Sequence, residues 1–289
     1  MKAAMYYEKA NDTDVRCMLC PHGCFLKPGQ TGICRARKNI EGELYSINYG
    51  KMTSLALDPI EKKPLVNFHP GSYILSAGSF GCNLKCSFCQ NWRISQAESQ
   101  SADMTPEALV EKAVGLLPRG NIGIAYTYNE PLIWYEFVRD CSLLAHENGL
   151  LNVLVTNGYI QKEPMEKLLP FVDAMNIDLK AFSSDFYKSI CKGEIDFVMN
   201  TIRLCAEACH VEVTNLLIPG ENDSEEEVSA LSSWLAEVSQ NITLHLTAYH
   251  PDYKMKKPGF MSRKRMFELI NVAKKHLKNV YCGNMHILI

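Results

Sequence analysis

Three cysteines in the stretch GCNLKCSFCQNW, Cys82, Cys86 and Cys89, are spaced C-x3-C-x2-C. A structural zinc site or an ordinary iron–sulfur cluster takes four protein ligands. Three thiolates can hold three irons of a [4Fe–4S] cube and leave the fourth iron open. The logic is that of catalytic zinc, where three protein ligands keep one position free for substrate. An open iron can bind a small molecule and hand it an electron. The plainer reading of the same spacing is incidental or buried cysteine.

A second set lies upstream. CMLCPHGCFLKPGQTGIC supplies Cys17, Cys20, Cys24 and Cys34, with glycine and proline between them. Four thiolates in a compact loop fit a Zn(Cys)4 site or an auxiliary iron–sulfur cluster; reduced, metal-free cysteines are the third reading. Spacing alone does not choose the metal. The segment has little apolar periodicity, so a metal staple would help it fold. Cys141, Cys191, Cys205, Cys209 and Cys282 read as core filler.

These groups need elements to position them. From residue 73 almost to the end, short β-branched apolar runs alternate with amphipathic helical patterns, which predicts βα units around a parallel sheet. The predicted strands are 73–79, 121–127, 151–156, 174–179, 211–218 and 243–248. Thr105-Pro106, Ser224-x-x-Glu227 and Ser262 read as helix starts. Residues 131–147 carry the apolar spacing of one buried-face helix. Six such units make either an open doubly wound sheet or a partial barrel. Both put their site at the carboxyl ends of the strands.

The suggestive polar residues fall at those ends. Asn129 and Glu130 follow the second strand, and NEP also reads as a plain helix start with an acidic first turn. Asn157 ends the third, in VTNG. Asp178 and Lys180 end the fourth; two apart on a strand, they face one side. They make either a structural ion pair or a pair that meets a ligand. His250 lies just past the sixth, where a structural role is the alternative.

The triad with an aromatic residue before its last cysteine, Phe88, resembles the radical S-adenosylmethionine superfamily. That resemblance implies a partial (β/α)6 TIM-like barrel with S-adenosylmethionine as fourth ligand to a [4Fe–4S] cluster. Its reductive cleavage gives a 5′-deoxyadenosyl radical that abstracts hydrogen. The cofactor carries this chemistry; the protein supplies orientation and redox poise. Cys82, Cys86 and Cys89 would hold the cluster. Phe88, Asn129, Glu130, Asn157, Asp178, Lys180 and His250 would surround the cosubstrate. Asn129 and Glu130 stand where the superfamily often shows G-G-E-P. Val155-Thr156-Asn157-Gly158 replaces the D-T-N-G of glycyl-radical activating enzymes, so the cation site that the aspartate helps form is not carried over.

DPIEKKPL, the Cys-rich opening and the triad together look like the AmmeMemoRadiSam radical enzymes, which are pyruvate formate-lyase activating-enzyme-like. This implies a reductant such as flavodoxin or ferredoxin, a possible protein substrate, and Memo-like and AMMECR-type partners. Members usually continue past the GN step with another cysteine pair; this chain ends at GNMHILI.

The bulk numbers bound the rest. The chain of 289 residues suits one large domain or two small ones, here read as a Cys-rich extension at 1–70 and a barrel at 71–289. A net charge of −2 supplies no global field toward nucleic acid or acidic lipid. The basic run 254–265 is a solvated loop or a docking patch. No membrane span or secretory leader is expected, and twelve cysteines without one suggest a reducing cytoplasm. The rival functions are an electron-transfer or zinc-binding module, and radical modification of nucleic acid.

Overall fold

The sheet is built from runs whose alternate residues face the barrel interior. The structure, a computed structural model, describes residues 1–289. In chain order the strands of its main sheet are β1 (Ser54–Pro59), β2 (Tyr73–Gly78), β3 (Asn121–Tyr126), β4 (Leu151–Thr156), β5 (Ala174–Asp178), β6 (His210–Leu217), β7 (Thr243–Ala248) and β8 (Val280–Gly283). They pair in strict sequence order. β2 to β8 are parallel, and β1 joins β2 antiparallel. β1 and β8 do not pair, so the barrel is partial.

The six expected strands are all present, and two edge strands extend them. β8 adds a seventh parallel strand. β1 lies before residue 71 yet pairs along the whole of β2, from Ser54 opposite Gly78 to Pro59 opposite Tyr73. The sheet therefore crosses the boundary expected at residue 70.

Helices cross over between the parallel strands. The principal ones are α1 (Pro106–Gly115), α2 (Tyr135–Glu147), α3 (Lys162–Leu168), α4 (Ile195–Ala206), α5 (Glu225–Val238) and α6 (Arg263–Ala273). The side chains of Thr105, Ser224 and Ser262 accept from Ala108 N, Glu227 N and Arg265 N, so each start is capped, while the Glu227 carboxylate of the expected capping box accepts from Phe182 N instead. The segment 131–147 is not one helix. A 3-10 turn, Pro131–Trp134, precedes α2, because Glu130 caps the chain at Leu132 N.

The barrel interior is layered. At the amino end, Ile74, Ala125, Val153 and Ala174 pack with Ile60 and Leu65. Those two belong to the DPIEKKPL run, which plugs the barrel floor. Glu212, fully buried on β6, fixes the plug by accepting from Val66 N at 3.1 Å and Asn67 N at 2.8 Å. His245 and His210 approach the same carboxylate at 2.6 and 3.0 Å. Towards the carboxyl ends the inward residues become polar, and the barrel opens.

The Cys-rich opening forms small antiparallel sheets that pack on the barrel. Ala4, Val15, Cys17, Leu19 and Leu26 belong to the same apolar core as the barrel strands. Arg37 reaches Glu136 of α2 at 2.5 Å with both side chains buried, and Met5 N donates to the same carboxylate. No helix is long and apolar enough to cross a membrane.

Candidate active site

The loop after β2 returns sharply towards the barrel mouth. Gly81 makes the return at φ +90°, and a Cβ there would sit 2.4 Å from the Cys34 carbonyl oxygen. Only glycine accepts both conditions. The loop then carries Cys82, Cys86 and Cys89 to one cavity of about 250 Å3 at the carboxyl end of the barrel. Phe88, Asn129, Glu130, Asn157, Asp178 and Lys180 line that same cavity.

Each polar side chain has a traceable support. Asn129 accepts from Ser79 N at 2.9 Å and donates to Gly81 O at 3.1 Å, so it holds the entry to the cysteine loop. The Glu130 carboxylate is buried. It accepts from Thr156 Oγ1 at 2.6 Å, Asn157 N at 2.8 Å and Leu132 N at 2.9 Å. Burial outweighs those bonds and pushes its pKa up to about 7. Asn157 donates to Cys82 Sγ at 3.5 Å and to Asn83 Oδ1 at 3.0 Å. Asp178 and Lys180 pair at 2.5 Å. Burial works against the Lys180 charge, but Asp178 and Cys86 overcome it and hold its pKa above the ordinary value.

The thiols suit a positively charged centre. Burial raises Cys82 well above the usual thiol range and Cys89 to about 11. Cys86 is raised chiefly by its hydrogen bond with Cys191 and then by burial. Bound iron would favour the thiolates that burial disfavours. No three Cys, His, Asp or Glu side chains converge closely enough to hold a single metal ion. A cluster makes a different demand, since it spreads its thiolates over separate corners.

The model of the radical SAM superfamily matches residues 78–231, from the end of β2 through the cysteine loop into α5. The chain belongs to the radical SAM superfamily. An uncharacterized protein of Methanocaldococcus jannaschii is 45% identical over 99% of this chain and 86% of its own length. The pyruvate formate-lyase-activating enzyme of Clostridium pasteurianum is 25% identical over 68% of this chain and 89% of its own. The structure of Streptococcus suis SuiB bound to S-adenosylmethionine covers 71% of this chain and 49% of that one, with a TM-score of 0.58 at 15% identity, a likeness of fold.

Superfamily membership implies a [4Fe–4S] cluster and S-adenosylmethionine binding, and most of the residues expected to serve them share the cavity. His250 does not. β7 ends at Ala248 and Tyr249 is buried in the core, and His250, past the strand end, is not among the lining residues. His250 keeps only a 3.4 Å approach to the Pro251 carbonyl. Cys17, Cys20, Cys24 and Cys34 lie outside this cavity.

Sequence reasoning assigned no site role to Tyr128, Thr214, Thr247 and Asn284, which also line the cavity. Tyr128 adopts φ +71° and donates its hydroxyl to Asp58 at 2.7 Å. Asp58 is also paired to Lys63 at 2.8 Å, so DPIEKKPL reaches the site from the side as well as plugging the floor. The inward alternation on β6 and β7 would have flagged Thr214 and Thr247.

Proposed function

We propose that this chain is a radical S-adenosylmethionine enzyme that abstracts hydrogen from a neutral acceptor. One observation carries the reading: three thiols from one loop open on the cavity lined by Glu130, Asp178 and Lys180. Cys82, Cys86 and Cys89 would hold the cluster. A [4Fe–4S] cluster with S-adenosylmethionine on its open iron supplies a one-electron cleavage that yields the 5′-deoxyadenosyl radical.

The chain's own residues do the rest. Glu130 offers a buried carboxylate to an ammonium group. Asp178 and Lys180 present one charge of each sign to the cavity, suited to a zwitterionic amino acid moiety. Asn157 and Asn129 fix the loop that carries the thiols. Phe88 packs beside Phe186 in the cavity wall.

The acceptor side of the cavity is uncharged, with Thr214, Leu216, Thr247 and Asn284. The one lysine in the lining is already paired with Asp178, so an anionic substrate has no free cation to meet. A peptide backbone suits this wall. That observation favours a second, narrower reading, in which the chain installs a glycyl radical on a partner protein, as the names of its activating-enzyme relatives suggest. A one-electron donor such as flavodoxin or ferredoxin would serve either reading.

The test is made without oxygen. The reconstituted, reduced protein receives S-adenosylmethionine, and 5′-deoxyadenosine is measured. Product from the native chain and none from Cys86→Ala supports the reading. An intact reduced cluster that yields no product, with or without glycine-containing peptides, removes it.

A further inference from the structure

The basic run in the loop from β7 to α6 has no part in the site described so far. Residues 254–265 hold Lys254, Lys256, Lys257, Arg263, Lys264 and Arg265, and no acid. Arg265 pairs with Glu225 at 3.2 Å and Lys264 with Glu268 at 4.0 Å. Lys254, Lys256, Lys257 and Arg263 are exposed and form no salt bridge. Asp252, the carboxylate just ahead of the run, accepts from Tyr253 N at 2.6 Å. Nothing inside the fold neutralises these four charges, so they are free to meet an anionic partner.

A second observation fixes where the cations stand. Lys254 N donates to Ser87 O at 3.0 Å, and Ser87 lies between Cys86 and Cys89. Tyr253 stacks on Trp92 with ring centroids 5.2 Å apart and planes 15° from parallel. Lys254 Nζ lies 5.1 Å from the Tyr253 ring centre, and the exposed Arg93 guanidinium 5.5 Å from that of Trp92. Two cations therefore flank a stacked aromatic pair that joins the basic loop to the end of the cysteine loop. The loop is also held from within: the Tyr249 hydroxyl donates to Met255 O, and Asp252 N donates to the same oxygen at 3.1 Å. The patch is a built surface, and Phe260, 46% exposed, adds an aromatic ring to the same run.

This surface touches the backbone that carries the thiols, yet neither Trp92, Arg93 nor any residue of 249–262 lines the cavity. A substrate has to bring its reacting atom into the cavity. An electron donor has to approach the cluster without entering it. With a net charge of −2 the chain has no global field to attract an acidic protein, so the steering must be local. We infer that Arg93 and the loop 250–262 form the docking surface for an acidic one-electron donor protein. The donor would lose one electron and the cluster would gain it. The inference deepens the proposed function and rests on it for the cluster that is reduced. A nucleic acid substrate fits less well, because the one lysine in the cavity lining is already paired with Asp178.

The test uses the reconstituted full chain and two acidic donors, a flavodoxin and a ferredoxin. Affinity is measured by calorimetry at low and high salt, and 5′-deoxyadenosine formation is driven either by the reduced donor or by dithionite. Lys254→Glu/Lys256→Glu/Lys257→Glu is expected to weaken binding of a donor by about tenfold and to slow donor-driven product formation by a similar factor. Iron content and dithionite-driven formation should stay at native levels, and native affinity should fall as salt rises. If the reversal lowers iron content, Lys254→Gln/Lys256→Gln/Lys257→Gln carries the same comparison with a smaller loss. Binding of neither donor by the native chain, or equal affinity in native and variant chains, would overturn the inference. So would an equal loss of dithionite-driven product, which would tie the loop to the cavity. An RNA oligonucleotide that only the native chain binds, with no donor bound, would assign the patch to nucleic acid instead. Donor binding that the variant loses, with no product from the native chain under dithionite, would sink the proposed function alone. Product under dithionite with unaltered donor affinity in the variant would sink this inference alone.

Discussion

Asn157 donates its side-chain N–H to the Cys82 sulfur at 3.5 Å. The same amide donates to Asn83 Oδ1, and Asn83 Nδ2 in turn donates to Tyr159 O at 2.6 Å. The end of β4 is thus tied to the loop that carries the thiols. Hydrogen bonds to cluster sulfurs stabilise the more negative, reduced state. Asn157→Ala is expected to lower the reduction potential of the reconstituted cluster. Taking about 1 kcal/mol for the lost bond, the shift is on the order of 40 mV. Potentiometric titration measures it, and an unchanged potential would remove Asn157 from the cluster's surroundings.

Glu130 and Glu212 are both buried in the barrel and oppose each other in their pH dependence. Glu130 titrates near 7, above its ordinary 4.5, because burial outweighs its three hydrogen bonds. The folded state therefore holds its proton more tightly than the unfolded chain. Its contribution is full below about 4.5 and is lost as the pH rises to about 7, on the order of 3 kcal/mol. Glu130→Gln should flatten the stability curve between those values, as read by denaturant unfolding of the metal-free protein at pH 5, 6 and 7.

Glu212 has the reverse sign. Burial pushes its pKa up, but bonds from His210, His245, Asn67 N and Val66 N prevail and bring it to about 2. Its contribution is present above 4.5 and lost as the pH falls towards 2. Glu212→Gln leaves two imidazoles and two plug amides poorly satisfied, and a loss of about 2–4 kcal/mol at neutral pH is expected. Proteolysis within residues 60–70 should accelerate if the plug depends on this carboxylate; an unaltered cleavage rate would show that Ile60 and Leu65 suffice to seat it.

Local signals made much of this architecture readable. The caps at Thr105, Ser224 and Ser262 and the six principal strands follow from short-range pattern, because capping and alternation are decided within a few residues. β1 was hidden because SLALDP sits among turns and becomes a strand only by pairing with β2. VYCG is too short to announce itself and depends on β7. The site divides in the same way. Cys82, Cys86 and Cys89 are legible because their chemistry depends on spacing in the chain. Asn129 lines the cavity, and its side chain also bonds Ser79 N and Gly81 O, a role that the spacing does not announce. That role is set by the tertiary approach of β2 and β3, which one strand's sequence does not encode.

Asp178 and Lys180 make a partly shielded pair, with side chains 29% and 16% exposed. Removing one partner leaves the other charge poorly solvated. Asp178→Asn is expected to cost about 1–3 kcal/mol, less than for a fully buried pair because solvent screens it. The double variant Asp178→Asn/Lys180→Met should recover part of that loss while weakening S-adenosylmethionine binding. Thermal melting and equilibrium dialysis with the reconstituted protein separate the two effects. A double variant that binds as tightly as the native chain would place the amino acid moiety elsewhere.

Gly81 joins the two cysteine regions, and its substitution should damage the cluster loop more than the barrel. Its φ of +90° is strained for any residue with a Cβ, and that Cβ would overlap the Cys34 carbonyl at 2.4 Å. The barrel strands cannot shift to relieve the clash, since β2 is paired on both sides. The loop can shift, because its restraints after Gly81 are single hydrogen bonds, among them Asn129 Nδ2 to Gly81 O. Gly81→Ala should therefore fold, with a loss of about 2–4 kcal/mol, and retain less iron at the catalytic thiols. Circular dichroism should show the helices and sheet preserved while reconstitution yields less iron than in the native chain. Full iron loading in Gly81→Ala would show that the Cys34 backbone yields in place of the loop.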